Sequence, residues 1–104
     1  MLLGSMMKFY LGRLVITPAA LETIPSDEIC RAIDRHVCGQ WGDLSAADLA
    51  ANELALETGA ALRSVFHATE TGKEFVVLTV ADRTTTTVFL PTDSTAAAHK
   101  EEIP

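Results

Sequence analysis

The stretch EFVVLTVA, residues 74–81, constrains the fold of this 104-residue chain more than any other segment. Side chains alternate between the two faces of a strand, which puts Phe75 and Val77 on one face and Val76 and Leu78 on the other. Because both faces are apolar, the strand has to be covered on both sides. We therefore predict that residues 74–81 form a central strand of a sheet.

Further strands are predicted on both sides of this segment along the chain. ALRSVFHA (61–68) precedes it across the turn TETGK, and TTTVFLP (85–91) follows it across the turn DRT. KFYLGRLVI (8–16) is similarly rich in aromatic and branched residues and is predicted to be a first strand. Such residues bounded by turn formers are typical of strands.

Three helices are predicted between the first strand and the second. A short one occupies residues 17–24, with threonine as its cap and proline at its first helical position. A long helix begins at Ser26 with acidic residues in its first turn and is ended by Gly39. A second long helix begins at the cap residue Ser45 and ends at Gly59.

Together these elements predict an α+β fold: an antiparallel meander with the two main helices packed on it. The meander has three strands, or four where the N-terminal strand joins it. We expect one globular domain over residues 7–91 and a flexible polar tail over residues 92–104. Residues 1–6 are set aside, because "GSM" is typical of a cloning remnant.

The charge balance limits the classes of partner. The net charge is −6 and the eight basic residues are scattered, which argues against direct nucleic-acid binding. Two cysteines do not make a disulfide framework, and neither a signal peptide nor a membrane span is recognised, so we expect a cytoplasmic protein. Cys30, His36 and Cys38 match no usual zinc spacing, and we expect neither a metal nor a cofactor.

Four residues are candidates for either a structural or a functional role. Asn52 lies in the apolar stripe of its helix, and His36 lies near a helix C-terminus. Trp41 stands between two glycines, and Ser64 lies on one face of a strand. We favour a core role for each, with Asn52 tied to backbone, His36 bonded to a carbonyl and Trp41 as a core plug. The alternative for Asn52 is that it lines a polar pocket together with Asp48, one helical turn away.

Two further groups of side chains are candidate sites. A polar ledge of Asp82, Arg83, Thr86 and Thr87 could meet His36 and Asn52 and bind an anion or a partner, provided that the residues converge. The segment between His36 and Leu62 contains no Lys or Arg and could instead form an acidic docking surface for a basic partner. Its members are Asp43, Asp48, Glu53 and Glu57.

The order of these residues resembles a family of small proteins from phages, plasmids and integrated elements of bacteria. The family pattern runs H-x-x-G-D-W-G, D-x-x-x-N, R-L-x-S and T-E-A-D-R-S-x-T-T, followed by L-P. The matching stretches here are HVCGQWG, DLAAN, ALRS, TVADRTTTT and FLP, within residues 15–91. Gln40, Ala61 and Val80 depart from the pattern. The resemblance implies a mobile-element setting and no established activity. The positions that keep the pattern are His36, Gly39, Trp41, Gly42, Asp48, Asn52, Ser64, Thr79, Asp82, Arg83, Thr86 and Thr87.

Three hypotheses on function follow. The leading one is a non-enzymatic interaction protein of a mobile element, in its specific form an inhibitor of a host-defence nuclease of restriction or CRISPR type. The second is a small hydrolase or ligand-binding domain with a cleft around His36, Asn52 and Asp82, which requires those side chains to converge. The third is a structural homodimer paired through an edge strand.

Overall fold

The computed structural model of this chain describes residues 7–93. The tail predicted for residues 92–104 lies outside the described part from residue 94 onward, as do residues 1–6. Seven elements follow one another along the chain. They are β1 (Arg13–Ile16), α1 (Pro18–Thr23), α2 (Ser26–Val37), α3 (Ala46–Thr58), β2 (Leu62–His67), β3 (Glu74–Thr79) and β4 (Thr85–Phe89).

The α+β class is confirmed, and the strand order in the sheet is β1-β4-β3-β2. Strand β3 is an interior strand that pairs antiparallel with β2 and with β4. Phe75 and Val77 are buried on one face of β3, and Val76 is buried on the other. The prediction of a central strand covered on both faces is therefore confirmed.

The prediction of a purely antiparallel sheet is wrong in one strand. β1 joins the sheet and pairs with β4 in parallel, with Arg13 opposite Thr85 and Ile16 opposite Val88. The helices carry the chain from β1 to the far edge, where β2 begins the meander that returns to β4. The direction of β1 is thus set by the path of the chain, and the local residue pattern contains no information on it.

The predicted helix boundaries are confirmed to within a residue or two. Thr17 caps α1 by accepting a hydrogen bond from the amide of Ala20, and Pro18 is the first helical residue. Ser45 caps α3 by accepting one from the amide of Asp48. Gly59 ends α3 in the left-handed conformation, with φ of 85°.

The largest hydrophobic cluster lies between the sheet and the helices α1 and α2. Ile24, Ile29 and Ile33 of this helical layer share the cluster with Phe75 and Val88 of the sheet. A second cluster, formed by Val65, Val76 and Phe89, lies on the opposite face with Leu44 and Leu78 packed against it. A third surrounds Trp41, Ala55 and Leu62. Helix α3 therefore packs at the β2 end of the sheet, away from the main helical layer.

None of the helices within residues 7–93 is long and apolar enough to cross a membrane. Cys30 is exposed, Cys38 is half-buried, and both are free thiols.

Candidate functional site

His36 is the centre of a fully buried chain of polar side chains. Its Nδ1 lies 2.6 Å from Oγ of Ser64, and its Nε2 lies 2.9 Å from Oγ1 of Thr79. Thr79 continues the chain to Thr86, at 2.7 Å between the two hydroxyl oxygens. Thr86 ends it by donating to the carbonyl of Leu11, at 2.7 Å. These hydrogen bonds connect the four elements α2, β2, β3 and β4 with one another and with the segment that precedes β1.

The carbonyl at one end determines the direction of every hydrogen bond in this chain. Thr86 donates its only hydroxyl hydrogen to the Leu11 carbonyl, so Thr79 must donate to Thr86. Thr79 then accepts from His36, which places the ring proton on Nε2. Nδ1 is left as an acceptor for the hydroxyl of Ser64. A neutral imidazole satisfies every member of this network, whereas protonation of Nδ1 would force the Ser64 hydroxyl to turn its hydrogen away and accept instead.

Burial and charge both hold His36 in that neutral form. Its relative exposure is 0 %. Burial, with a smaller contribution from the positive charge of Arg83, lowers the pKa of His36 from its ordinary value of 6.5 to about 4. The Ser64–His36 pair has the hydrogen bond of a nucleophile and its base. Ser64 is also 0 % exposed, however, so a dissolved substrate cannot reach its hydroxyl.

Trp41 is a core residue, as predicted, and it packs beside this network. Its ring stacks on Phe9 at 6.2 Å between centroids and meets the His36 ring edge-on at 5.6 Å. Its indole Nε1 donates to the carboxylate of Glu53 at 2.8 Å. The exposed side of α3 thus supplies the acceptor that lets the indole be buried. Glu53, predicted as a docking residue, is exposed and is also bonded to the core residue Trp41.

The residues around Trp41 also close the outer edge of β2. The Val65 amide donates to the Trp41 carbonyl at 3.2 Å, and the Val65 carbonyl accepts from the Asp43 amide at 2.8 Å. Gly42 lies directly against this edge with φ of 77°. A Cβ on Gly42 would lie 2.0 Å from the Val65 carbonyl oxygen. Only glycine allows the corner to approach the strand this closely.

Asn52 closes the same edge two residues earlier in the strand. Its amide nitrogen donates to the Arg63 carbonyl at 2.7 Å, and its oxygen accepts from the Arg63 amide at 3.2 Å. The side chain thus takes the place of a neighbouring strand. The favoured interpretation of Asn52, as a tie between helix and strand backbone, is confirmed.

Replacing Asn52 with alanine is expected to lower the free energy of unfolding by about 2 kcal/mol, because two backbone groups of Arg63 lose their partner. Chemical denaturation at neutral pH would measure the loss. Glu57→Ala, on the exposed side of the same helix, should change stability by less than about 0.5 kcal/mol. Equal effects of the two substitutions would show that the edge contact adds nothing.

Arg83 ties the β3–β4 turn to the C-terminal end of α3. Its guanidinium donates to the carbonyls of Ala55 and Ala60 at 3.1 and 2.7 Å, and two longer bonds reach carbonyls of its own turn. The last turn of α3 contains no basic residue, so Arg83 supplies the positive charge that this helix end favours. It also lies 5.7 Å from the centre of the Phe9 ring.

The predicted polar ledge does not exist as one surface. Thr86 faces His36, whereas Thr87 lies on the opposite face of β4, because adjacent strand residues alternate. Asp82 is exposed, and its hydrogen bonds to Thr84 lower the pKa of its carboxyl. Asn52 faces the edge of β2 rather than His36. The side chains required for a cleft around His36, Asn52 and Asp82 therefore do not converge.

The predicted acidic residues occupy three different surroundings. Asp43 accepts from His67 at 2.7 Å, and Glu74 lies 3.6 Å from the other nitrogen of that ring. Glu53 binds Trp41. Asp48 and Glu57 are exposed on α3, and neither forms an ion pair within residues 7–93.

Sequence reasoning missed two features of this region. The first is the role of Thr79, which stood out only in the resemblance, and the second is the closure of β2 by Trp41 and Asn52. Glycine at position 42 was the available signal, since a glycine beside a buried tryptophan suggests close backbone approach. Among the described residues, no group of three or more His, Cys, Asp or Glu side chains is placed to hold a metal ion.

Comparison of the chain with protein-family models, curated proteins and solved structures gives no match.

Proposed function

We propose that this protein is a non-enzymatic interaction protein that docks onto a basic protein partner through the exposed face of α3. The proposal rests on the composition of that face. Its exposed side chains are apolar and acidic, whereas the exposed face of a surface helix is ordinarily polar. Leu54 is 60 % exposed, although it lies within the helix.

Helix α3 is held to the fold by few side chains. Only Asn52 and Ala55 are buried, and Leu56 is half-buried. The solvent side contains small apolar residues around Leu54. These are Ala46, Ala47, Ala50 and Ala51, all exposed. Such a face permits close approach of another protein and supplies apolar area to bury on association.

Charge favours a basic partner. Asp48 and Glu57 flank the apolar face toward its two ends. No Lys or Arg occurs between His36 and Leu62, and the net charge of the chain is −6. Opposite charge on a partner would steer the encounter and set its orientation. Inhibition of a host-defence nuclease is the specific form of this proposal, because such an enzyme must present a basic surface to nucleic acid.

The polar residues of the resemblance support an interaction protein more than an enzyme. His36, Ser64, Thr79 and Thr86 bond to one another in the interior. Asn52 and Arg83 bond to backbone groups. Their hydrogen-bonding capacity is used for assembly of the fold, and it is therefore the outer surface that remains for recognition.

The test compares binding by the wild type with binding by Leu54→Lys/Glu57→Lys, using a panel of purified restriction and RNA-guided nucleases. Each substitution is at an exposed site, so folding should be retained. We expect the wild type to bind one member and to inhibit its cleavage of DNA, and the variant to bind at least about tenfold more weakly. Binding should weaken as salt is raised.

The matched control is Leu21→Lys/Glu22→Lys on α1, which makes the same exchange of exposed residues on another helix. It should bind as the wild type does. Docking through α3 is wrong if a nuclease is bound equally by all three proteins. Absence of binding to every member of the panel would remove the nuclease form of the proposal.

A further inference from the structure

The two edges of the sheet differ in how their backbone groups are satisfied. On β2, the outward groups of Arg63 are bonded by Asn52, and those of Val65 by the segment from Trp41 to Asp43. Closure of this kind prevents another strand from adding to the sheet. The opposite edge is β1, and it has no such cover within residues 7–93.

The pairing of β1 with β4 shows which of its groups face outward. The Arg13 amide donates to the Thr84 carbonyl, and the Thr17 amide donates to the Val88 carbonyl. In a parallel strand, alternate residues direct both backbone groups to the same side. Leu14 and Ile16 therefore present their amides and carbonyls to the outside, and no backbone partner for them occurs among the described residues.

We propose that β1 pairs antiparallel with β1 of a second copy of this chain, which joins two sheets into one across a two-fold axis. Leu14 would face the partner's Ile16, and Ile16 the partner's Leu14, with about four backbone hydrogen bonds between them. Val15 would lie opposite the partner's Val15. The inference does not depend on the proposed docking through α3.

The side chains of β1 suit a second copy in this register. Leu14 would pair with an aliphatic side chain and Val15 with its own equivalent, both favourable across strands. Arg13 would lie opposite the partner's Thr17 rather than opposite another arginine, so like charges are not opposed. Leu14 is 44 % exposed, and pairing would cover it. The edge is thus self-complementary, as a two-fold interface requires.

Leu14→Pro is a selective test, because it removes only an amide that faces outward. The amides of Arg13 and Val15, which face β4, remain, and proline is tolerated on an edge strand. Sedimentation equilibrium over a range of concentrations should show a wild-type dimer. The dissociation constant of the variant should be at least about tenfold higher, since two hydrogen bonds are lost per dimer. Circular dichroism should show unchanged folding.

Leu14→Lys provides a second variant that keeps the backbone intact and should weaken the dimer by desolvating a charge against the partner's Ile16. Leu54→Lys, on α3, should leave the dimer unchanged. Hydrogen exchange at the Leu14 and Ile16 amides should slow as the dimer forms. The proposal is overturned by a wild type that stays monomeric, by a dimer that both Leu14 variants leave intact, or by protection of these two amides in the monomer.

Discussion

Replacing Gly42 with alanine is expected to lower the free energy of unfolding by about 3 kcal/mol or more. The added Cβ would lie 2.0 Å from the Val65 carbonyl oxygen and 2.9 Å from the Phe66 ring. The corner would have to move away from β2, and the two hydrogen bonds at Val65 would then break. The positive φ of 77° adds strain for any residue with a Cβ.

Gly59→Ala separates the steric clash from the backbone strain. Gly59 has a similar φ of 85°, but a Cβ there would have no neighbour within 4 Å. Its substitution should cost only about 1 kcal/mol, the strain of the left-handed conformation. Urea denaturation of the two variants measures both values. If Gly42→Ala costs no more than Gly59→Ala, the close approach of the corner to β2 does not contribute to stability.

Acidification is expected to destabilise the protein by about 2 kcal/mol between pH 7 and about pH 5, through His36 alone. The pKa of His36 is lowered to about 4 in the folded state, whereas an unfolded chain has the ordinary value of 6.5. The unfolded state therefore binds the proton first as the pH falls below 6.5. The stabilisation by neutral His36 is complete above that pH and is lost progressively toward pH 4, where the loss reaches about 3 kcal/mol.

Denaturation curves at several pH values between 7 and 5 would measure this loss. His36→Gln should be less stable at neutral pH, because its amide cannot reproduce the bonds to Ser64 and Thr79, but its stability should no longer fall through this range. A wild type that is equally stable at pH 7 and pH 5 would contradict the role given to His36.

The predicted losses of stability at Gly42 and at His36 have a common cause, because each breaks hydrogen bonds that connect one element to another. His36 and its hydroxyl partners hold the helical layer to three strands of the sheet. Trp41, Gly42 and Asn52 close one edge of the sheet, and Arg83 completes the end of α3. His36 and Ser64 have the residue types of a catalytic pair, but in this fold their hydrogen bonds connect helix α2 to the sheet.

The sequence predicted the elements well, because their signals are local. The threonine–proline start of α1, the serine cap and terminal glycine of α3, and the two-sided apolar pattern of β3 each act within a few residues. The buried positions of Trp41 and Asn52 could also be predicted, since helical periodicity places Asn52 between apolar neighbours.

Contacts between distant residues could not be predicted in the same way. Thr79 lies 43 positions from His36, and Arg83 lies 28 positions from the Ala55 carbonyl that it binds. The sequence shows that each side chain needs a partner but does not specify which one. For the same reason the ledge of Asp82, Arg83, Thr86 and Thr87 was predicted together, although strand alternation and the turn direct its members to different surroundings.

The sequence by itself determined the α+β class, the order of the elements and the central position of β3, because these depend on periodicity, caps and turns. Only the tertiary structure decided that β1 runs parallel to β4, that the β2 edge is closed while β1 has no such cover within residues 7–93, and that His36 is buried and neutral. Those features depend on contacts between residues that are distant in the sequence, and local residue patterns do not specify such contacts.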